Sequence, residues 1–158
     1  MGQVETRLAG AADVQAIHSV LARAFAEYRS LYTLGGFDAT VLSDEGIGKR
    51  IIEGPVWVAS VDGAIVGTVA AVSKGEALYI RGMAIVPEGR GNRIGQRLLD
   101  EIENHALRNG HRRLTLSTTP FLTRAIRLYE AAGFHRTPES DHDLLGTPLF
   151  TMDKELYS

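Results

Sequence analysis

The sequence contains no cysteine, which excludes disulfides, thiolate metal sites and a cysteine nucleophile. This absence favours an intracellular protein, and we expect a cytoplasmic location. No run of about 18 apolar residues occurs, so no membrane span is predicted. The first residues lack the basic and apolar segments of a secretory signal. A net charge of -2 argues against a nucleic-acid partner held by broad electrostatics.

Length and composition are typical of one globular domain. The chain has 158 residues, of which 44% are hydrophobic, and we predict a single domain over residues 1–158. Its five histidines show none of the short spacings, such as His-Glu-x-x-His, that bring two ligands to one ion. We therefore predict no metal site.

Hydrophobic periodicity predicts the element order β-α-α-β-β-β-α-β-α-β-β. Hairpins come first and βα units later, which predicts a mixed sheet with helices on its faces. The last predicted helix has Thr119 as its N-cap and Pro120 at its first position. Helices are expected near residues 12–29, 43–53, 92–109 and 119–132, and strands near 3–8, 55–73 (a hairpin), 76–86, 112–118, 134–137 and 147–156.

Two glycine-containing pairs predict the turns. Asp62-Gly63 separates two β-rich runs, and both residues tolerate the positive φ of a tight primed turn, so a hairpin is expected there. Gly35-Gly36 is typical of a loop, and residues 33–44 are predicted as one.

A loop rich in glycine and arginine lies where a predicted strand becomes a helix. Gly89, Gly91 and Gly95 alternate there with Arg90 and Arg93. A helix N-terminus exposes unpaired N–H groups, glycine lets a phosphate approach the backbone, and arginine adds charge-assisted contacts. The loop therefore favours phosphate binding. The alternative is a tight turn with solvated arginines.

Two nucleotide-binding motifs match this loop less well. It does not end in Gly-Lys-Ser/Thr, so it is not a P-loop. Gly89-x-Gly91-x-x-x-Gly95 is one residue longer than the dinucleotide fingerprint, and the next strand lacks the expected carboxylate. Binding of a dinucleotide remains a weaker alternative.

Two motifs resemble those of the GNAT N-acetyltransferase superfamily. "VPEGRGNRIGQRLL" is similar to its acetyl-CoA-binding motif, Gln/Arg-x-x-Gly-x-Gly/Ala, with Arg90 first and Gly95 last. "AIRLYEAAGF", residues 125–134, resembles its C-terminal helix motif, Ala-x-x-x-Tyr-x-x-x-Gly-Phe. The resemblance covers residues 55–137 and, more loosely, the whole chain. It implies the GNAT fold, an α/β (α+β) class with a central mixed, mostly antiparallel sheet and helices on both faces.

The resemblance also implies a cosubstrate and its binding residues. Acetyl-CoA is the expected acyl donor, and no metal is expected. Tyr129 would be the acid beside the thioester sulfur. The main chain of a first segment would run beside the pantetheine arm, and its residues are Met83, Ala84 and Ile85. The backbone amides of a second segment would hold the pyrophosphate, and its residues are Arg90, Gly91, Asn92, Arg93, Ile94 and Gly95.

Two positions depart from the family pattern. Arg93 replaces the usual middle glycine of the loop. We expect residue 93 to lie in the first helical turn, where no positive φ is needed. Leu122 stands seven residues before Tyr129, where the family often has an asparagine that contacts the cofactor.

The general base has several candidates. Ser117 and Tyr79 occupy positions where some relatives carry a glutamate, and Glu76 begins the central strand near Arg81. His142 or Asp141 of the late loop, or a chain of waters, are the other candidates.

Two loops are candidates for selecting the acceptor, since specificity usually lies on loops. Residues 28–38 and 137–146 are these loops, and each could equally be solvated. The first loop would offer an apolar slot lined by Tyr28, Tyr32 and Phe37. The second would attract a cationic amine through Glu139, Asp141 and Asp143.

The resemblance predicts an enzyme. We expect an N-acetyltransferase that moves an acetyl group from acetyl-CoA directly to a primary amine of a small molecule or peptide. The alternative is a non-catalytic GNAT-fold module that binds acyl-CoA or senses it. A homodimer is a further expectation, because many members of the superfamily are dimers.

Overall fold

The computed structural model describes residues 2–138 and 142–157. Among these residues the α-helices are α1 Val14–Phe25, α2 Leu34–Thr40, α3 Asp44–Glu53, α4 Ile94–Arg108 and α5 Thr123–Ala131. The strands are β1 Val4–Leu8, β2 Val56–Val61, β3 Ala64–Lys74, β4 Ala77–Ile85, β5 Arg113–Thr118, β6 His135–Arg136, β7 His142–Leu144 and β8 Thr147–Glu155. Short 3-10 turns lie at Ala11–Asp13, Ala26–Leu31 and Pro87–Gly89.

The strands form one mixed sheet in the order β1-β2-β3-β4-β5-β8-β6, with β7 paired to β8. Only the β4–β5 pair is parallel among the described strand pairs. The predicted fold class, a mixed and mostly antiparallel sheet, is confirmed. The parallel pair arises because α4 crosses over between the two strands, as parallel neighbours require.

Alternation along the strands divides the core between the two faces of the sheet. Val56 and Val58 of β2 face one way and pack with α1, α2 and α3. Trp57 and Ala59 face the other way and pack with α4 and α5. Helices therefore cover both faces, as the resemblance implied.

Local sequence signals placed several elements correctly. Asp62 and Gly63 join β2 to β3 with φ of 52° and 85°, which confirms the predicted primed hairpin turn. The Ser43 side chain accepts a hydrogen bond from the N–H of Gly46 at 3.2 Å and begins α3 within the predicted range.

Residues 33–44 do not form the predicted loop. They contain α2, capped by Thr33, whose Oγ1 accepts from the N–H of Gly36 at 3.0 Å. A Cβ on Gly36 would lie 2.2 Å from Oγ1 of Thr147, so this glycine permits close packing against β8. The prediction was wrong because this close approach of distant segments leaves no local signal. 

Two further boundaries differ from the sequence prediction. The last helix has Leu122 at its N-cap and begins at Thr123, so the cap predicted at Thr119 with Pro120 was wrong. The loop predicted at 137–146 contains β7, which forms a hairpin with β8.

Candidate active site

Strands β4 and β5 diverge at the centre of the sheet. Their parallel register runs from Ala77 opposite Arg113 to Ile80 opposite Leu116 and stops there. Strand β4 nevertheless continues to Ile85, still paired with β3 on its other side. Between Arg81 and Ile85, the β5 side of β4 is therefore unpaired with β5, and the main-chain groups directed there are open to a ligand.

A β-bulge in β4 explains the divergence. Gly82 and Met83 both lie opposite Val69, because the register steps from Ala70–Arg81 to Thr68–Ala84. Gly82 has a φ of 67°, which glycine adopts at little cost. A bulge bends its strand and increases the local twist, so β4 turns away from β5 at this point.

A cavity of about 620 Å³ lies at the fork. Its walls come from β4, the start of α4, α5, and the segment after α1. Of the ten residues predicted for the site, nine line the cavity: Met83, Ala84, Ile85, Arg90, Gly91, Arg93, Ile94, Gly95 and Tyr129. Asn92 does not line the cavity, because its side-chain amide donates to the carbonyl of Gly89 at 3.2 Å and holds the loop instead.

The glycine-rich loop presents the N-terminus of α4 to the cavity. Gly91 has a φ of 86°, and Arg93, the N-cap of α4, has a φ of 59°. The expectation that residue 93 lies within the helix and needs no positive φ was therefore wrong. Arg93 bears the strain, about 1–2 kcal/mol for a non-glycine residue. The amides of the first turn of α4 have no intrahelical acceptor and can bind an anion.

Gly95 serves a different purpose from Gly91. A Cβ on Gly95 would lie 2.6 Å from Cδ2 of Leu128, whereas one on Gly91 would have no heavy atom within 4 Å. Gly95 therefore lets α4 approach α5, and Gly91 supplies the loop conformation beside the cavity.

Arginine side chains surround the loop. Arg90 forms an ion pair with Glu27, and Nη1 of Arg124 lies 4.0 Å from Oε1 of the same carboxylate. Nε of Arg93 donates to Oε1 of Gln96 at 3.2 Å. This cluster places positive charge beside the free amides of α4, so the field at the loop favours an anion.

Tyr129 of α5 belongs to both the core and the cavity wall. Its residue is 6% exposed and packs with Phe134, their ring centroids 5.8 Å apart. Burial raises the pKa of the Tyr129 phenol far above its usual value, so it keeps its proton at neutral pH. Its hydroxyl makes no hydrogen bond to another described residue, which leaves it available as a donor.

The candidate bases occupy different positions. Ser117 lines the cavity, and its hydroxyl lies 3.1 Å from Nε2 of His142. Glu76 is directed away, since its carboxylate accepts from Arg113 at 2.8 Å and it does not line the cavity. Tyr79 lines the cavity, with the Lys74 ammonium 4.2 Å from its ring centroid.

The acidic residues of the late loop are not all described. Glu139 and Asp141 lie outside the described residues. Asp143 accepts a hydrogen bond from the N–H of Gly146 at 2.7 Å and so stabilises the β7–β8 turn. Its carboxylate therefore has a structural partner.

Aromatic residues of the segment after α1 form part of the cavity wall. Tyr28 and Tyr32 line the cavity, whereas Phe37 packs against Tyr32 at 6.0 Å between centroids. Burial raises the pKa of Tyr32. Leu122 also lines the cavity, so an apolar side chain stands where an asparagine was expected.

Sequence reasoning missed Arg50. It extends from α3 to the cavity beside Gly82, and a Cβ on Gly82 would lie 2.6 Å from its Nη1. Nothing in the helical pattern of residues 43–53 distinguishes it from a solvated arginine. Its position depends on the packing of α3 against the sheet.

The described residues contain no helix long and apolar enough to span a membrane. Over the same ranges, no group of three or more His, Cys, Asp or Glu side chains is arranged to hold a metal ion.

Comparison with known proteins assigns the family. Residues 18–134 match the model of the Acetyltransferase (GNAT) family, and the chain belongs to that family. The chain is 33% identical over 84 residues to the probable N-acetyltransferase camello of Xenopus laevis, covering 51% of this chain and 38% of that protein. It is 33% identical over 87 residues to N-acetylaspartate synthetase of Danio rerio, covering 54% of this chain and 31% of that protein. The chain thus spans about a third of these curated relatives.

Solved structures show the same fold over nearly the whole chain. The PaiA N-acetyltransferase of Thermoplasma acidophilum, crystallised with coenzyme A, superposes with a TM-score of 0.83 over 97% of this chain and 99% of its own. Their identity is 18%, so this similarity concerns the fold alone. The fold predicted from the two motifs is confirmed.

Proposed function

We propose that this protein is an acetyl-CoA-dependent N-acetyltransferase that acts on a primary amine of a small molecule or peptide. One observation carries the proposal: the unpaired edge of β4, the N-terminus of α4 and Tyr129 converge on one cavity. The names of both curated relatives, an N-acetyltransferase and a synthetase of an N-acetylated amino acid, support the same chemistry.

The cavity suits coenzyme A at both ends. A pyrophosphate needs several N–H donors and positive charge, which the first turn of α4, Gly91 and Arg93 supply. A pantetheine arm carries amides that pair with extended backbone, and β4 offers such an edge between Arg81 and Ile85. Arg90 contributes charge at the loop while paired with Glu27.

When bound, acetyl-CoA supplies an activated acetyl group as a thioester. The open main-chain N–H groups of β4 near Met83 and Ile85 would donate to the carbonyl oxygen as negative charge develops there. Tyr129, kept protonated by burial, would donate to the departing sulfur.

The attacking amine must lose a proton. Ser117 lines the cavity, and its hydroxyl lies 3.1 Å from Nε2 of His142. We propose that the imidazole accepts this proton through the Ser117 hydroxyl. Glu76 is not proposed as the base, because its ion pair with Arg113 lies outside the cavity.

A thiol-release assay tests the function. The protein contains no cysteine, so a thiol reagent reports only the coenzyme A that is set free. Purified protein, acetyl-CoA and a panel of primary amines should release coenzyme A in proportion to acetylated amine, identified by mass spectrometry. Binding of acetyl-CoA without turnover on any amine would instead favour a non-catalytic acyl-CoA-binding module.

Two further expectations belong to this proposal. The lack of cysteine supports a cytoplasmic location, which cell fractionation would test. A homodimer is expected from the family, and sedimentation at micromolar concentration would test it. No nucleic-acid or membrane partner is proposed.

A further inference from the structure

One end of the cavity carries two arginines, and among the described residues one of them is paired with a carboxylate. Arg50 of α3 and Arg81 of β4 both line the cavity. Glu53 accepts from Nη2 of Arg81 at 2.7 Å. Among residues 2–138 and 142–157, no carboxylate lies within 4.0 Å of the Arg50 guanidinium, and its side chain makes no hydrogen bond. One positive charge at this end therefore has no direct partner in the described structure.

This unpaired charge is costly in the folded protein. Arg50 is half-buried, and burial together with the nearby Arg81 lowers the pKa of Arg50 to about 10, with Glu53 partly offsetting both effects. The guanidinium is still charged at neutral pH. Burying a charge without a partner is unfavourable, so an unpaired arginine on a cavity wall points to a ligand that brings the opposite charge.

The position of Arg50 separates it from the phosphate loop. The start of α4 meets β4 at Ile85, where a Cβ on Gly95 would lie 3.2 Å from Cδ1 of Ile85. Arg50 contacts β4 at Gly82, three residues earlier, which corresponds to about 10 Å along an extended strand. The pyrophosphate and Arg50 therefore lie at different ends of the open segment.

The geometry points to the acceptor as the ligand. We propose that Arg50 binds a carboxylate of the acceptor, so that the preferred substrates are amino acids or other small amines that carry a carboxylate. This inference rests on the proposed acetyltransferase function. A guanidinium matches a carboxylate with two parallel hydrogen bonds. The same two arginines repel polycationic amines such as spermidine.

The test compares acceptors with and without this carboxylate. The standard L-amino acids other than cysteine, whose thiol the reagent would also detect, and proline, which has no primary amine, are assayed by coenzyme A release together with alaninamide, glutaminamide and spermidine. For the wild-type protein, kcat/KM for alanine should exceed that for alaninamide by about 10-fold or more when both values are expressed per concentration of neutral amine, as expected for charge-assisted hydrogen bonds. In Arg50→Gln the alanine value should fall until the ratio is close to one, while the alaninamide value stays unchanged. Arg50→Lys should give an intermediate ratio, since lysine keeps the charge but not the paired geometry.

Lys49→Gln is the matched control. Lys49 precedes Arg50 on α3, its side chain is 72% exposed, and its removal changes the net charge equally. This variant should keep the wild-type ratio. Titration with acetyl-CoA should give equal Kd values for wild type, Arg50→Gln and Lys49→Gln. The melting temperature of Arg50→Gln should not fall, because an unpaired charge is removed from a half-buried position.

Several results would overturn the inference. A ratio near one in the wild type, a preference for spermidine, or a carboxylate preference that survives Arg50→Gln would each do so. So would acetyl-CoA binding without acetylation of any carboxylate-bearing amine, or a loss of acetyl-CoA affinity in Arg50→Gln. Failure of the wild type to bind acetyl-CoA would instead remove the proposed function, and the inference with it.

Discussion

Replacing Gly91 by alanine separates phosphate binding from backbone strain. Gly91 lies in the loop before α4 with a φ of 86°, and a Cβ built there meets no heavy atom within 4 Å. Gly63 of the β2–β3 turn has nearly the same conformation, with a φ of 85°, and equally open surroundings. Gly91 lines the cavity and Gly63 does not. Gly63→Ala is therefore a matched control for Gly91→Ala.

The two variants should lose similar stability but differ in affinity. An L-residue in the left-handed region costs about 1–2 kcal/mol, which lowers the melting temperature of a domain this size by about 2–4 °C per kcal/mol. Only the methyl group at residue 91 lies in the loop to which the proposed function assigns the phosphate. Loss of one hydrogen bond to a charged group costs about 1.5–3 kcal/mol, or about 10- to 150-fold in Kd.

Calorimetric titration with acetyl-CoA measures this difference, and thermal unfolding followed by circular dichroism measures the strain. We expect the weaker affinity in Gly91→Ala alone. Wild-type affinity in Gly91→Ala, or an equal loss in Gly63→Ala, would refute the assignment of residues 90–95 as the phosphate cradle.

Three other predictions test separate parts of the structure. Tyr129→Phe should lower kcat by about 100-fold or more, the usual range for a general acid, and leave the acetyl-CoA Kd unchanged; a large drop in melting temperature would instead assign the hydroxyl to the core. Gly95→Ala gains about 1 kcal/mol of helix propensity but requires the end of the Leu128 side chain to move, so the net loss of stability should be below about 2 kcal/mol, and Leu128→Ala should reduce that loss in a double-mutant cycle. The hydrogen bond from Arg7 lowers the pKa of Asp13 to about 2, from 3.8. The Asp13 carboxylate therefore stabilises the fold above pH 3.8, and this contribution is lost as the pH falls through 2. Since the Arg7 side chain is 58% exposed, Asp13→Asn should lower the free energy of unfolding by less than about 1 kcal/mol at pH 7. Urea unfolding should show that the difference between the wild type and Asp13→Asn disappears towards pH 2.

Local signals predicted those elements whose structure depends on neighbouring residues. Asp62-Gly63 forms the turn that its own backbone preferences favour, and Ser43 caps the helix that follows it. The loop predicted around Gly36 was wrong because this glycine allows close packing against Thr147, a contact between segments far apart in the chain. Such contacts are decided by tertiary packing, which propensity does not represent.

The candidate site likewise combines residues that the local sequence indicates with residues that only tertiary packing brings together. The cavity-lining residues around Arg90 and Tyr129 were singled out from residue spacing, because the loop before α4 and the helix α5 are each continuous in sequence. The left-handed conformation of Arg93 was missed, since glycine is the residue that normally indicates a positive φ. Arg50 was missed because α3 brings it to β4 across the fold, where it meets the bulge at Gly82.

The most direct test of this account is a calorimetric titration of the wild-type protein with acetyl-CoA and, separately, with NAD. The account predicts saturable binding of acetyl-CoA at one site per chain and no binding of NAD. Binding of NAD instead, or no binding of acetyl-CoA, would contradict the central claim that the fork of β4 and β5 and the start of α4 form a coenzyme A site.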